Sequence, residues 1–147
     1  MKNIIIIIFL FITIPLLAQN FNSVMAINDL ADKKTATFED AVFMFMLQTK
    51  KNPVNFATNM KILDKEGITS GFKYKKDQPL RRGIVSKMIA RYLKLKDNLF
   101  YLMSGSERYA FRACVAHGIM DENNSEWDKL SGEELIEIMS YLSNENK

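Results

Sequence analysis

Histidine, cysteine and tryptophan each occur once in this chain of 147 residues, and proline occurs three times. With His117 as the only histidine, a multi-histidine metal site is excluded, and a Ser-His-Asp arrangement has one possible base. With Cys114 as the only cysteine, no internal disulfide can form, so packing must hold the fold. The formal net charge is only +3. Such a balance argues against nucleic acid as a partner.

The few chemically reactive residues occupy positions typical of structural roles. His117 falls in the last turn of a predicted helix before Gly118, where an imidazole faces the helix carbonyl groups. Cys114 lies in an apolar run and is predicted to be buried. The acidic segment 121–124 lacks the alternating spacing of a calcium loop. We therefore predict no catalytic site, no metal and no cofactor, since a small hydrolase would depend on His117 alone.

A long apolar run occurs at the start of the chain. Lys2 precedes a stretch from Ile4 to Leu17 that is apolar apart from Thr13, and Ala18 follows. This run of about 14 residues is shorter than the roughly 20 that a membrane-spanning helix needs. The pattern predicts a signal peptide over 1–18, an extracytoplasmic location and no membrane span in the mature chain. An uncleaved anchor is the alternative, and a second cleavage position follows Ala26.

The rest of the chain predicts an all-α fold. We interpret 19–36 as a flexible leader or one short helix, 37–143 as a helical domain and 144–147 as a tail. Thr37 before two acidic residues predicts a helix start, and Ser131 with Glu134 forms a capping box. Apolar periodicity predicts about six helices. Their expected ranges are 37–47, 54–66, 81–95, 99–103, 107–117 and 131–142.

Two helix-loop-helix segments are copies of one unit. In each copy a helix ends in Gly-Ile, a loop follows, and a second helix begins. The glycines Gly67 and Gly118 are 51 residues apart, and the leucines Leu80 and Leu130, just before the second helices, are 50 apart. Segment 37–47 matches the second helix of a partial earlier unit. The expected fold is a small bundle built from two repeats and this partial unit.

This pattern resembles the S-layer homology repeat, with the best match over 57–93. The resemblance implies units packed around a pseudo-threefold axis, binding of cell-wall polymers, and a motif arginine at the ligand groove. Only Arg82 corresponds to that arginine. The second copy has Ser131-Gly132 in its place, and the partial earlier unit has Thr37-Phe38.

A basic and aromatic cluster is the best candidate for a binding site. Guanidinium groups at a helix start can hold a carboxylate or phosphate, although a solvated basic loop is the plain alternative. The only tryptophan is a second candidate contact or a lid over the core. The predicted ligand-binding residues are Phe72, Tyr74, Lys75, Lys76, Arg81, Arg82 and Trp127.

These observations predict a non-enzymatic module of the cell envelope. Its expected partner is a wall polymer (peptidoglycan or an anionic glycan) or an envelope protein. The alternative is a secreted helical module that binds proteins and has no glycan role. Arg108 and Arg112 lie four apart on one helix, where two like charges repel unless an acidic group or a partner compensates them.

Overall fold

The computed structural model describes residues 23–95 and 104–145, and these contain six helices and no β-sheet. The all-α prediction is confirmed. The predicted signal peptide over 1–18 and the predicted helix over 99–103 lie outside the described residues. The helices are α1 (described over 23–31), α2 (Phe38–Gln48), α3 (Phe56–Lys65), α4 (Arg82–Tyr92), α5 (Glu107–Ala116) and α6 (Gly132–Glu145).

Residues 23–31 form a helix, which is the second of the two possibilities considered for 19–36. Its anchor is Leu30, whose side chain is only 2% exposed and belongs to the core. This helix is hard to predict from the sequence, because the hydrophobic residues are scattered in the segment and no residue pattern indicates a helix start. The first unit therefore contains two helices, like the other two units.

Two helix starts, those of α2 and α6, have the caps expected from the sequence. Thr37 and Asp40 form a capping box at α2, and Ser131 and Glu134 form the same box at α6. Asn55 and Ser106 cap α3 and α5 through their side-chain oxygens. Helix α4 is the exception, because Arg81 at its N-cap makes no side-chain capping hydrogen bond.

The helix ends repeat as regularly as the starts. Gly67 and Gly118 have positive φ angles of 79° and 69°, and the next residue of each donates its N–H back into the helix. Lys50 and Lys94 take the same left-handed conformation after α2 and α4, with φ angles of 57° and 53°. A glycine with positive φ thus follows the first helices of units two and three. A lysine with positive φ follows the second helices of units one and two.

A closed ring of backbone hydrogen bonds joins the three units. Leu80 N–H donates to the Ala36 carbonyl (2.8 Å), Leu130 N–H to the Leu80 carbonyl (3.0 Å), and Ala36 N–H to the Leu130 carbonyl (2.8 Å). All three residues are fully buried. Because each residue lies two positions before its unit's second helix, the ring places α2, α4 and α6 around one pseudo-threefold axis.

Close backbone contact also explains Gly132, the first residue of α6. Its N–H donates to the Lys33 carbonyl (2.9 Å), and a Cβ placed there would lie 1.6 Å from the Leu30 carbonyl oxygen. No side chain fits at such a distance. The third unit therefore has glycine, where the second has Arg82, because the end of α1 occupies that space.

The core lies between the helices and around the ring. Helix α2, which is apolar almost all round, buries six of its eleven residues. The largest fully buried side chains include Phe38, Phe45, Met46, Leu63, Ile84, Met88, Leu135 and Leu142. Within the described residues the methionines of α2, α4 and α6 are packed among these apolar side chains.

Candidate functional site

The motif arginine, Arg82, lies inside the bundle. Arg82 is only 9% exposed, and its Nη2 group pairs with the carboxylate of Glu134 in the first turn of α6. Burial raises the pKa of Glu134, but the Ser131 N–H and the positive charge of Arg82 outweigh it and hold the pKa below its usual value. This ion pair connects unit two to unit three.

Its neighbour Arg81 belongs to a different cluster at the start of α5. The Arg81 Nη2 group lies 3.2 Å from Glu107 Oε1 and 3.0 Å from Glu107 Oε2, and the Tyr74 hydroxyl donates to Glu107 Oε1. Burial and the hydrogen bond to Glu107 raise the pKa of Tyr74 above its usual value. We call these three residues the Glu107 cluster.

Glycine at position 83 makes the Glu107 cluster possible. A Cβ at Gly83 would lie 2.8 Å from the Glu107 Cβ and 3.0 Å from the Glu126 carbonyl oxygen. The Gly83 N–H also donates to that carbonyl (2.9 Å). The start of α4 is thus pressed against both α5 and the loop that follows α5, and this contact holds Glu107 beside Arg81.

The Glu107 cluster supports Trp127, the only tryptophan. The Arg81 Cζ lies 4.7 Å from the centre of the indole ring, and the residue is still 66% exposed. A cation over an indole face is attracted by the ring's quadrupole. The predicted alternative that Trp127 is a lid over the core is wrong, because two-thirds of the residue is exposed to solvent. The indole is a surface group held in place by an arginine.

A groove lies beside Trp127 and along α5, with a volume of about 560 Å³. Its lining includes Arg108 and Arg112, whose side chains are exposed, together with the apolar Phe111. Glu122, Asn124, Ser125, Glu126 and Trp127 form its other wall. We call this the α5 groove. The spacing of the two arginines is visible in the sequence, but no local pattern there indicates that Trp127 lies next to them.

The other predicted ligand-binding residues lie away from this groove's lining. The Phe72 ring has Lys87 and Arg91 over its face, at 5.1 and 4.7 Å, and packs against Phe38 and Tyr74. Burial and the nearby Arg91 charge lower the pKa of Lys87. Phe72 is therefore covered by cations of its own chain.

Lys75 and Lys76 are exposed in the loop before α4. The Lys76 carbonyl accepts a hydrogen bond from the Glu39 N–H at the start of α2 (2.9 Å), so this loop is tied to the first unit. The structure brings together Tyr74, Arg81 and Trp127 from the predicted set. It places Arg82 in the interior and adds Glu107, Arg108 and Arg112, which were not in the set.

The residues considered for catalysis have structural surroundings. His117 is the C-cap residue of α5, and Cys114 is fully buried with its thiol 3.6 Å from the Ser86 carbonyl. Burial raises the pKa of the Cys114 thiol to about 12. Across 23–95 and 104–145, no group of three or more His, Cys, Asp or Glu side chains is placed to hold a metal ion.

None of the described helices is both long and apolar enough to cross a membrane. No protein-family model, curated protein or solved structure matches this chain.

Proposed function

We propose that this protein is a non-enzymatic, extracytoplasmic module of the cell envelope that binds an acidic wall polymer at the α5 groove. One observation carries the proposal. The Trp127 indole is exposed, and the Arg81 guanidinium lies over one face of it. The indole lies at the edge of a groove whose lining includes the exposed residues Arg108 and Arg112.

The chemistry of the α5 groove fits an acidic polymer. The flat face of Trp127 offers a large apolar area for a sugar ring, and its attachment to Arg81 keeps it oriented before binding. Arg108 and Arg112 supply planar donors for carboxylate or phosphate groups. Glu122 and Asn124 offer acceptors for hydroxyl groups.

Two further features support an envelope role. The apolar run from Ile4 to Leu17, after Lys2, is typical of a signal peptide. The resemblance to S-layer homology repeats implies units around a pseudo-threefold axis, and the ring of Ala36, Leu80 and Leu130 has that arrangement. Wall polymers rich in carboxylate or phosphate are the anions that such a compartment offers to the α5 groove.

The test is co-sedimentation of the purified protein with peptidoglycan sacculi that retain their attached polymers, at low and at moderate salt. We expect pelleting that falls with salt, because exposed charge pairs are screened. Trp127→Ala should weaken it about tenfold, as the loss of an aromatic anchor does. Replacing Arg108 and Arg112 together by Gln should remove the salt-sensitive part.

The matched control replaces Lys61 and Lys65 by Gln, since these are also exposed cations four residues apart on a helix. Pelleting should be unchanged in this variant. If the protein does not pellet with sacculi, or if the Lys61 and Lys65 control loses as much binding as the arginine variant, the proposal is wrong.

A further inference from the structure

The α5 groove carries charges of both signs, one sign on each wall. Arg108 and Arg112 are exposed on the α5 side. Glu122, which is exposed, and Glu126, which is half-buried, belong to the loop on the other side. Among residues 23–95 and 104–145, none of these four side chains forms an ion pair with another. Opposite charges therefore line one groove without neutralising each other.

The contacts that these side chains do make leave their charges uncompensated. The Arg112 Cζ lies 6.0 Å from the centre of the Tyr109 ring, at the outer limit of a cation–π contact. The Ser125 hydroxyl donates to Glu126 Oε2 over 3.4 Å, which is long for a hydrogen bond. Neither contact brings an opposite charge to the arginine or to the glutamate, so a bound ligand can supply one.

Backbone contacts hold the acidic wall at a fixed place relative to α5. The Glu126 carbonyl accepts the Gly83 N–H (2.9 Å), and the Asp128 carbonyl accepts the Arg82 N–H (2.8 Å). The start of α4 also lies against Glu107, so the same element contacts both walls of the groove. A ligand therefore meets charges that are already in position, which lowers the entropy cost of binding.

The α5 wall combines the two guanidinium groups with apolar surface. Phe111 is buried and Val115 is half-buried, and both line the groove. Four lining residues are spaced at i, i+3, i+4 and i+7 and so share one face of α5, namely Arg108, Phe111, Arg112 and Val115. This face suits a short ligand that carries aliphatic groups beside its charged group.

The acidic wall discriminates against a ligand that carries only negative charge. A phosphate chain bound to Arg108 and Arg112 would bring further anions beside Glu122 and Glu126, and like charges at an interface cost binding free energy. A ligand with an ammonium group as well as a carboxylate satisfies both walls. A short peptide with a free side-chain amine and a free C-terminus has this combination.

We propose that the α5 groove binds the peptide part of the wall polymer, as a short segment with a free carboxylate and a free ammonium group. The carboxylate pairs with the two arginines, the ammonium group pairs with the two glutamates, and the aliphatic side chains contact Phe111 and Trp127. This inference rests on the proposed function, because it names the part of the polymer that the same groove binds.

The test is a titration of the full ¹⁵N-labelled chain with matched tripeptides, followed by two-dimensional amide spectra. Acetyl-Ala-Lys-Ala carries both charges. Its counterpart with an acetylated lysine side chain keeps only the carboxylate, and its counterpart with a C-terminal amide keeps only the ammonium group. We expect saturable shifts at 108–115 and 122–127 with the zwitterionic peptide. Each of the other two should bind about fivefold more weakly, the upper range for the loss of a partly exposed ion pair.

Replacing Glu122 and Glu126 together by Gln should have opposite effects on two of the peptides. The zwitterionic peptide should bind about fivefold more weakly, and the carboxylate-only peptide should bind more tightly, because its repulsion by the acidic wall is removed. The matched control replaces Glu133 and Glu137 by Gln, since these exposed residues of α6 lie outside the groove and the net charge changes equally. Both affinities should be unchanged in the control, and the amide spectra of all variants show whether the fold is kept.

Equal binding of the zwitterionic and carboxylate-only peptides would overturn the inference and leave the groove as a plain anion site, with polymer binding intact. The absence of saturable shifts with every peptide, while the protein still pellets with sacculi, would also overturn it and assign binding to the glycan. If the protein does not pellet with sacculi but prefers the zwitterionic peptide as stated, the proposed function is wrong and the charge preference of the groove is supported.

Discussion

Arg81 and Arg82 are adjacent in the chain, yet they belong to two different regions of the molecule. Arg82 lies in the interior and joins α4 to Glu134 of α6. Arg81 reaches the surface, where it pairs with Glu107 and lies under the indole of Trp127. One arginine connects two units of the bundle, and the other orients an exposed aromatic ring.

The comparison shows that position in the helix decides what each charge does. Arg81 is the N-cap residue of α4 and has an extended backbone, whereas Arg82 is the first helical residue, so the two side chains leave the chain in different directions. Each guanidinium finds one carboxylate, from α5 or from α6. The predictions below test this division, from the largest expected effect to the smallest.

Removing the carboxylate from the interior pair should have the largest effect. Glu134→Ala leaves the guanidinium of Arg82 nine-tenths buried without its partner, and it also breaks the capping box with Ser131. We expect a loss of about 3 kcal/mol in the free energy of unfolding, measured by urea denaturation. Arg82→Ala should cost less, about 2 kcal/mol, because the Glu134 carboxylate is left partly exposed to water. Equal losses would contradict an interior role for the charge of Arg82.

Gly83→Ala tests the contact that holds Glu107. On helix propensity alone, alanine in place of glycine should stabilise α4 by about 1 kcal/mol. Here the new Cβ meets the Glu107 Cβ and the Glu126 carbonyl, neither of which is the end of a flexible side chain. We therefore expect the opposite sign, a destabilisation of about 2 kcal/mol in urea denaturation. A stabilised variant would show that α4 and α5 are not pressed together at this point.

Acid should weaken the pair between Arg82 and Glu134. The pKa of Glu134 lies below its ordinary value of 4.5 in the folded protein. The unfolded chain therefore takes up this proton more readily, and the stability contributed by Glu134 is complete above about pH 4.5 and is lost as pH falls through the folded pKa. We expect the urea midpoint of Glu134→Gln to fall less than that of the wild type between neutral pH and pH 3. Parallel pH profiles would contradict this.

Arg81→Ala should have the smallest effect on stability and a clear effect on Trp127. The Arg81 and Glu107 side chains are about one-fifth exposed, so losing their pair should cost about 1 kcal/mol. Without the cation under its ring, the indole should reorient faster. Because the chain has one tryptophan, its fluorescence anisotropy reports this change directly. Arg91→Ala is the control, since Arg91 lies over Phe72 instead of Trp127.

Most of the helices could be predicted because their signals are local. The caps Thr37 and Ser131, the glycines Gly67 and Gly118, and the apolar stripes act within a few residues of one another. The all-α bundle follows from these signals. Helix α1 lacked such a signal, because Leu30 is fixed by packing against α6 and not by its own neighbours.

The candidate site was only partly predictable. The sequence predicts Tyr74 and Trp127 as aromatic loop residues and Arg81 as a cation at a helix start, and the structure brings the three together around Glu107. The same pattern also predicts Arg82 as a binding residue, but the structure buries it. The residue type alone does not show whether a side chain points inward. The α5 groove is built from α5 and the loop after it, so its shape depends on how that loop folds back.

The starts and ends of most helices, the two helix-loop-helix copies with a partial earlier unit, and the apolar stripes of the core are all legible in the sequence. These are short-range properties of caps, turns and periodicity. Tertiary packing, in contrast, places Arg82 inside the bundle and Arg81 beside Trp127, and it leaves no room for a side chain at Gly132. The physical reason is distance along the chain: the carboxylates that pair with Arg81 and Arg82 come from 26 and 52 residues away. Such partners meet only when the units close around their common axis.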